Sequence, residues 1–409
     1  MGVFDFLRHR RPEDQFARRV MRRLRQRGWS QPIRYDLDEF TLVTEGDAGR
    51  FFLGNIFRDW ATYPRRERAT QLDRAIAFMF EADDDEAFED VAHRLVPVVR
   101  NLRDLQSLAL ESESDPSPEI WQPHRVLVDP LGVILAIDRP HSMALVQSSK
   151  LERWGCSFDT ALDRAMANLI SKSPVRFERM REGFYVSDYG DVCDSSRLLM
   201  PELFRALQVK GEPIAVAISR SCVAVAGSEE STALRAMAAF VARQLPQETR
   251  PTSFLPLLLR DGEWCAIDPY SREFDAIRDL AIRGAAWDYH PQTQVLEAFF
   301  ERQGVDVFVA PLELMTFGGD AHTWTSWTEC VPALLPRSEA LGLTSADGRK
   351  LFRLWRDIEA VCGAFVQDTR FFPVRYKSPQ WPSPEAWSRL EAEFEPPEWI
   401  LAESEPADS

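Results

Sequence analysis

The stretch "GDVCDSSRLLMPE", residues 190–202, crowds two aspartates, a cysteine, two serines and an arginine in front of an apolar run. Three kinds of chemistry are open to it. Arg197 paired with Asp194, Asp191 or Asp188 would lock the loop. Ser195 and Ser196, entering a helix over 200–207, would accept bonds from its orphaned N–H groups; with Arg197 they would seat a phosphate or a peptide carboxylate. Nucleophilic catalysis is the third. The lock ranks first, the anion seat second and the nucleophile last. A serine nucleophile needs a base within hydrogen-bond reach and an oxyanion hole. Here there is no GxSxG elbow and no nearby histidine. The acids flanking Cys193 disfavour a thiolate, so it reads as a structural thiol.

Arg100, closing the apolar "VPVVR", is the other cation to follow, because a guanidinium on a buried segment must find an acid or a ligand. Arg100, Asp194, Ser196 and Arg197 converging in one pocket would hold an anionic substrate. Arg220, in a hairpin turn, reads as solvated. Further on, "GGDAHTWTSWTECVPALLP", 318–336, sets Trp324 and Trp327 three apart, on opposite faces of a strand. Seven of the twelve tryptophans follow residue 280. They would anchor an interface or, the reading preferred, fill the thin core of a small module.

The elements that must position these residues follow one pattern. "EFTLVTEGDAGRFFLGN", "VILAIDRPHSMALVQ", "PIAVAISRSCVAVAG" and "FLPLLLRDGEWCAID" read as hairpins around polar turns, each followed by an amphipathic helix. The echo LDRAIAFM/LDRAMANL differs in spacing between copies, so convergence explains it better than duplication. The fold class is therefore α+β, antiparallel sheets with helices packed on one face. No βα run carries a phosphate-binding glycine loop. At 409 residues the chain outgrows a single core. The expected organisation is an N-terminal module at 1–107, an acidic Pro/Ser linker at 108–123, a central module at 124–269, a Trp-rich module at 270–380 and an acidic Pro-rich tail at 381–409, with a short helix at 384–394.

Hydrophobic residues make up 45% and charged residues 28%, a soluble globular balance. No apolar run is long enough for a membrane span, and the first residues do not read as a secretory signal. The six cysteines are scattered without a CxxC pair, as free thiols in a reducing compartment would be. The histidines lack HxH or HExxH spacing, and "EADDDEAFED", 81–90, lacks the ligand order of a calcium loop. No metal and no cofactor is expected. The net charge of −15 should repel nucleic acid and anionic lipid at long range. Residues 8–27 run against that average, with nine arginines around a helical stripe of Phe16, Val20, Met21 and Leu24. The stripe is read as packing on its own chain; nucleic-acid or membrane-surface contact is the alternative.

Three landmarks carry a family resemblance: "LVPVVRNL" at 95–102, "LERWGCSFDTALDRAMANL" at 151–169 and "FYVSDYGDVCDSSRLLMPE" at 184–202. In order and spacing the chain from about Gln15 to about Pro269 resembles the YtpQ-like family of bacterial proteins, which carry a domain of unknown function. In the hairpin "AVAISRSCVAVAG" that family usually ends a polar turn in Asp, where this chain has Ser221. The resemblance implies a cytoplasmic bacterial protein and brings no activity, cofactor or substrate. With no phosphate loop, metal constellation or histidine-centred site in the sequence, the expected function is a non-catalytic adaptor or regulatory module with a protein partner. The alternative is an enzyme acting on an anionic small molecule or peptide.

Overall fold

Two turns set hairpins by backbone chirality. Asp261 and Gly262 (φ 52° and 91°) and Gly318 and Gly319 (φ 61° and 97°) all sit in the left-handed region. Paired positive φ gives the turn twist that matches two antiparallel strands. The first joins Leu257–Arg260 to Glu263–Ala266, the second Glu313–Phe317 to Asp320–Thr328. The computed structural model describes residues 11–37, 40–44, 50–77, 86–112, 116–139, 143–244, 248, 251–377 and 380–401. Outside them lie residues 8–10 of the basic stretch, 81–85 of the acidic run, 113–115 of the linker and 402–409 of the tail. The chain forms two compact units: 1–94 with 137–144 and 248–250, and 95–136 with 145–247 and 251–409.

In the first unit Pro12 opens the helix Pro12–Gln26, with Glu13 and Asp14 in its first turn and Arg23 and Arg25 in its last, as the helix dipole favours. Phe16, Ala17, Val20 and Leu24 are buried with Leu42, Leu53, Leu72 and Ile76. The basic helix thus packs its apolar stripe on its own unit. The antiparallel strands Ile33–Asp36, Thr41–Thr44 and Arg50–Phe52 and the helices Gly54–Thr62 and Arg68–Ala75 complete the unit's main elements.

The second unit is built on a six-stranded antiparallel sheet in the order Glu263–Ala266, Leu257–Arg260, Pro213–Ser219, Cys222–Gly227, Tyr185–Ser187 and Phe177–Arg179. Alternate residues of Pro213–Ser219 serve two cores. Ile214, Val216 and Ile218 pack with Leu234, Met237 and Val241 of the helix Ser231–Gln244, while Ala215 and Ala217 pack with Leu198, Phe204 and Trp264. Burial on both faces is why this strand reads as one apolar run. Two further four-stranded sheets lie after residue 307. The α+β class holds, with two parallel pairings that local hairpin signals do not announce: Asp320–Thr328 with Ala340–Thr344, and Phe308–Val309 with Ala333–Leu335.

The helix that follows the fourth hairpin runs from Asp275 to Gln303, straight through Pro291. Proline removes the N–H that would bond Trp287 O four residues back. Arg103 supplies a substitute donor, its Nη1 lying 2.9 Å from that carbonyl. The short helix expected at 384–394 forms within the acidic, proline-rich stretch. Ser383 caps the helix Pro384–Glu393 by accepting from Ala386 N, and Trp387, Leu390 and Trp399 are buried. Among the described residues no helix is long and apolar enough to cross a membrane.

Candidate functional site

The polar knot sits in a 3₁₀ turn, Ser195–Leu199, leading to the helix Pro201–Arg205. Arg197 is fully buried and bonds Asp191 with both ends of its fork, Nη1 to Oδ1 at 2.9 Å and Nη2 to Oδ2 at 2.7 Å. Its guanidinium also lies 3.4 Å from the centroid of the Tyr189 ring. Burial pushes the Asp191 carboxyl up, but the bonds and charge of Arg197 and the Cys193 N–H outweigh it and hold it below the usual range. Asp194 is buried and accepts from Tyr189 N at 3.4 Å through Oδ1, while Oδ2 has no hydrogen-bond partner. Neither serine caps the following helix. Ser195 Oγ donates to Ser219 O, and Ser196 Oγ accepts from Val99 N at 3.3 Å. Asp188 is exposed, 3.9 Å from Arg176.

Arg100 follows Val99 on the strand Leu95–Asn101 and is half-buried. The Val99–Ser196 bond brings that strand beside the knot. Trp327 fills the C-terminal core, 4.9 Å from Trp381 and 5.8 Å from Phe365. Trp324, half-buried on the opposite strand face, packs on Phe352.

A second constellation lies in a cleft of about 1090 Å³ within the second unit. The start of the long helix, the Gly318–Gly319 hairpin, the segment 337–339 and the helix Glu398–Leu401 contribute to its walls. His322 stands on the strand Asp320–Thr328, and parallel pairing of Trp324 with Ala340 brings Glu339 alongside. His322 Nδ1 is 2.8 Å from Glu339 Oε2. A carboxylate only accepts, so Nδ1 carries a proton; in the neutral ring that leaves Nε2 with the lone pair of a base. Trp399 stacks on the imidazole at 4.9 Å and 22°. Arg278 steadies the other oxygen, Nη2 to Glu339 Oε1 at 3.0 Å, and reaches Ala321 O with Nη1. Asp279 Oδ1 accepts from Ala321 N, tying the hairpin to the helix from the other side.

Arg337 borders the same cleft without such a partner. Its guanidinium carbon lies 4.8 Å from the Trp355 ring and 5.5 Å from the Tyr270 ring. Tyr270 is itself fixed, donating to Arg337 O at 3.0 Å and accepting from Thr323 Oγ1 at 2.9 Å. Among the described residues no carboxylate comes within ion-pair distance of Arg337, and its one side-chain hydrogen bond is a 3.5 Å contact with Ser338 O. Trp355 is buried, and among the described residues its Nε1–H has no acceptor. A half-buried cation, a tryptophan with an orphaned donor and a carboxylate-oriented histidine line the same cleft. No protein-family model, no curated protein and no solved structure matches the chain.

The sequence-predicted residues of the knot do come together, but their main partners lie elsewhere in the fold: Arg197 bonds Asp191, Ser195 bonds Ser219 O and Ser196 bonds Val99 N, with Asp194 Oδ2 and Arg197 Nε left without a partner among the described residues. The cleft was missed because its pairs are assembled by topology. His322 and Glu339 are seventeen positions apart. The available signal was alternation along "DAHTWTSW", which puts His322 and Trp324 on the face opposite the buried Trp327.

Proposed function

We propose that the protein acts on an anionic small molecule or peptide terminus held in this cleft. Arg337 grips the anion, and His322, its Nδ1 fixed by Glu339, moves a proton at Nε2. The observation that carries the reading is Arg337: half-buried, braced on two aromatic faces and lacking a carboxylate partner. A guanidinium in that state is completed by a ligand bearing a phosphate or carboxylate. The knot at 188–197 has the scaffold role, with Arg197 already committed to Asp191. Adaptor function drew part of its support from the lack of a histidine-centred site, and the His322–Glu339 pair removes that part. Cytoplasmic location and kinship with the YtpQ-like family rest on the sequence landmarks alone.

Thermal unfolding with inorganic phosphate tests the anion seat. Saturable stabilisation is expected, reaching about 2.7 kcal/mol at 100 times the dissociation constant. Arg337→Gln should abolish it while Arg337→Lys retains part. His322→Gln should leave phosphate binding intact, because its role is proton movement. Failure of phosphate, sulfate and acetate alike to stabilise the wild-type chain would sink the proposal.

A further inference from the structure

The helix Pro12–Gln26 has a second face that the described residues leave exposed. Arg18, Arg22 and Arg25 follow one another at i+4 and i+3, so they share one side of the helix, and Arg11 precedes them at the helix entry. That side is opposite the stripe of Phe16, Val20 and Leu24, which is buried in the first unit. All four arginines are exposed, and among the described residues none has a carboxylate partner. The neighbouring cations are otherwise engaged. Arg23 is bidentate on Asp73, and Arg19 and Arg68 lie over the Trp60 ring at 5.0 and 4.7 Å. Like charges at these spacings repel within a helix. The row is therefore a local strain of charge in a chain whose net charge is −15.

We infer that this row docks the phosphate backbone of a nucleic acid, independently of base sequence and of what the cleft binds. Charge complementarity names a polyanion. The state of the apolar stripe chooses which one. A basic amphipathic helix holds a bilayer by burying its apolar face among the lipids. Here that face is spent on Leu42, Leu53, Leu72 and Ile76, so the helix offers charge without an inserting surface. At 1.5 Å per residue, Arg18 and Arg25 are about 10 Å apart along the axis. That span meets successive phosphates of one strand, each of which a guanidinium fork can take bidentately. The surrounding negative charge confines contact to the row and keeps it weak.

The test is fluorescence anisotropy of the full chain with a labelled DNA duplex and, separately, with phosphatidylserine vesicles. Each phosphate contact contributes about −0.9 to the slope of log affinity against log salt, so three arginines should give about −3. Affinity should fall on the order of forty-fold between about 50 and 200 mM salt. Arg18→Gln, Arg22→Gln and Arg25→Gln together should flatten the slope and abolish duplex binding, with the helical circular dichroism unchanged. The corresponding lysine triple variant, which keeps the charge, should still bind. Three results would overturn the inference: no duplex binding at about 50 mM salt, binding that survives the glutamine triple variant, or binding to vesicles in preference to duplex.

Discussion

Two buried carboxylates show how a single residue can set the conditions under which the whole fold is most stable. Asp288, inside the long helix, accepts from Asn101 Nδ2 at 2.7 Å and Arg103 Nη1 at 3.0 Å through Oδ1, and its Oδ2 has no partner. Asp129 accepts from Val374 N at 2.9 Å through one oxygen and leaves the other unpaired. Burial pushes both up to about 7, against about 3.9 in an unfolded chain. A raised carboxyl favours folding most below the unfolded value, and that advantage is lost as pH rises through the folded one. Asp368, drawn down to about 2 chiefly by its hydrogen bond from Arg370, works the other way, and Asp191 does so beside Arg197. Their contributions are lost as pH falls below about 4. Urea midpoints should therefore peak near pH 4 to 5 and decline toward pH 8, and Asp288→Asn should flatten that decline. An unaltered slope in the variant would remove Asp288 from the account. The Arg197 lock was legible in the sequence because its acid is six residues away. Asp288 was not, because Asn101 is 187 residues away.

Elements show the same divide between local and distant partners. Hairpins at Asp261–Gly262 and Gly318–Gly319 were readable because turn chirality is written in adjacent residues. The two parallel strand pairs were not, since each needs a crossover that no short pattern encodes. The long helix falls between. Its start was readable, but a proline inside a helix ordinarily ends it, and the donor that lets it continue past Pro291 is Arg103, on the short helix Leu102–Leu110. This predicts a coupling. Pro291→Ala restores an N–H able to bond Trp287 O within the helix, so the Arg103 bond to that carbonyl becomes partly redundant. Arg103→Ala should then cost about 0.5–1.5 kcal/mol less in the Pro291→Ala background than in the wild-type chain. Urea unfolding of the four members of the cycle measures it. Strict additivity would mean that the guanidinium matters only through its other contacts, with Asp288, Asp104 and the Trp287 ring.

At the scale of the whole molecule, the α+β class followed from repeated hairpin-and-helix patterns, while the way the chain divides did not. The first unit takes in 137–144 and 248–250, segments remote in sequence from its main body, and no change of composition marks them. Net charge is a property that sequence does give at this scale, and −15 carries a consequence. A compact chain so charged repels itself, and the Debye length of about 10 Å at 0.1 M salt screens that repulsion. Exposed ion pairs such as Arg260–Glu273 and Arg389–Glu393 are screened as well, but each is worth at most about 1 kcal/mol. The part-buried bond of Arg197 to Asp191 and the buried bond of Arg103 to Asp288 are screened less. The thermal midpoint at neutral pH should thus rise as sodium chloride increases from low concentration to about 0.15 M, with the largest gain at the low end. Sucrose supplied instead of salt should not reproduce that curve shape. A midpoint that falls with salt would show that surface pairing outweighs collective repulsion. Nucleic-acid docking by the arginine row has the opposite sign, since salt displaces the phosphates it holds. One titration of salt should therefore tighten the fold while loosening the complex, a divergence that neither net charge nor the local basic face would produce alone.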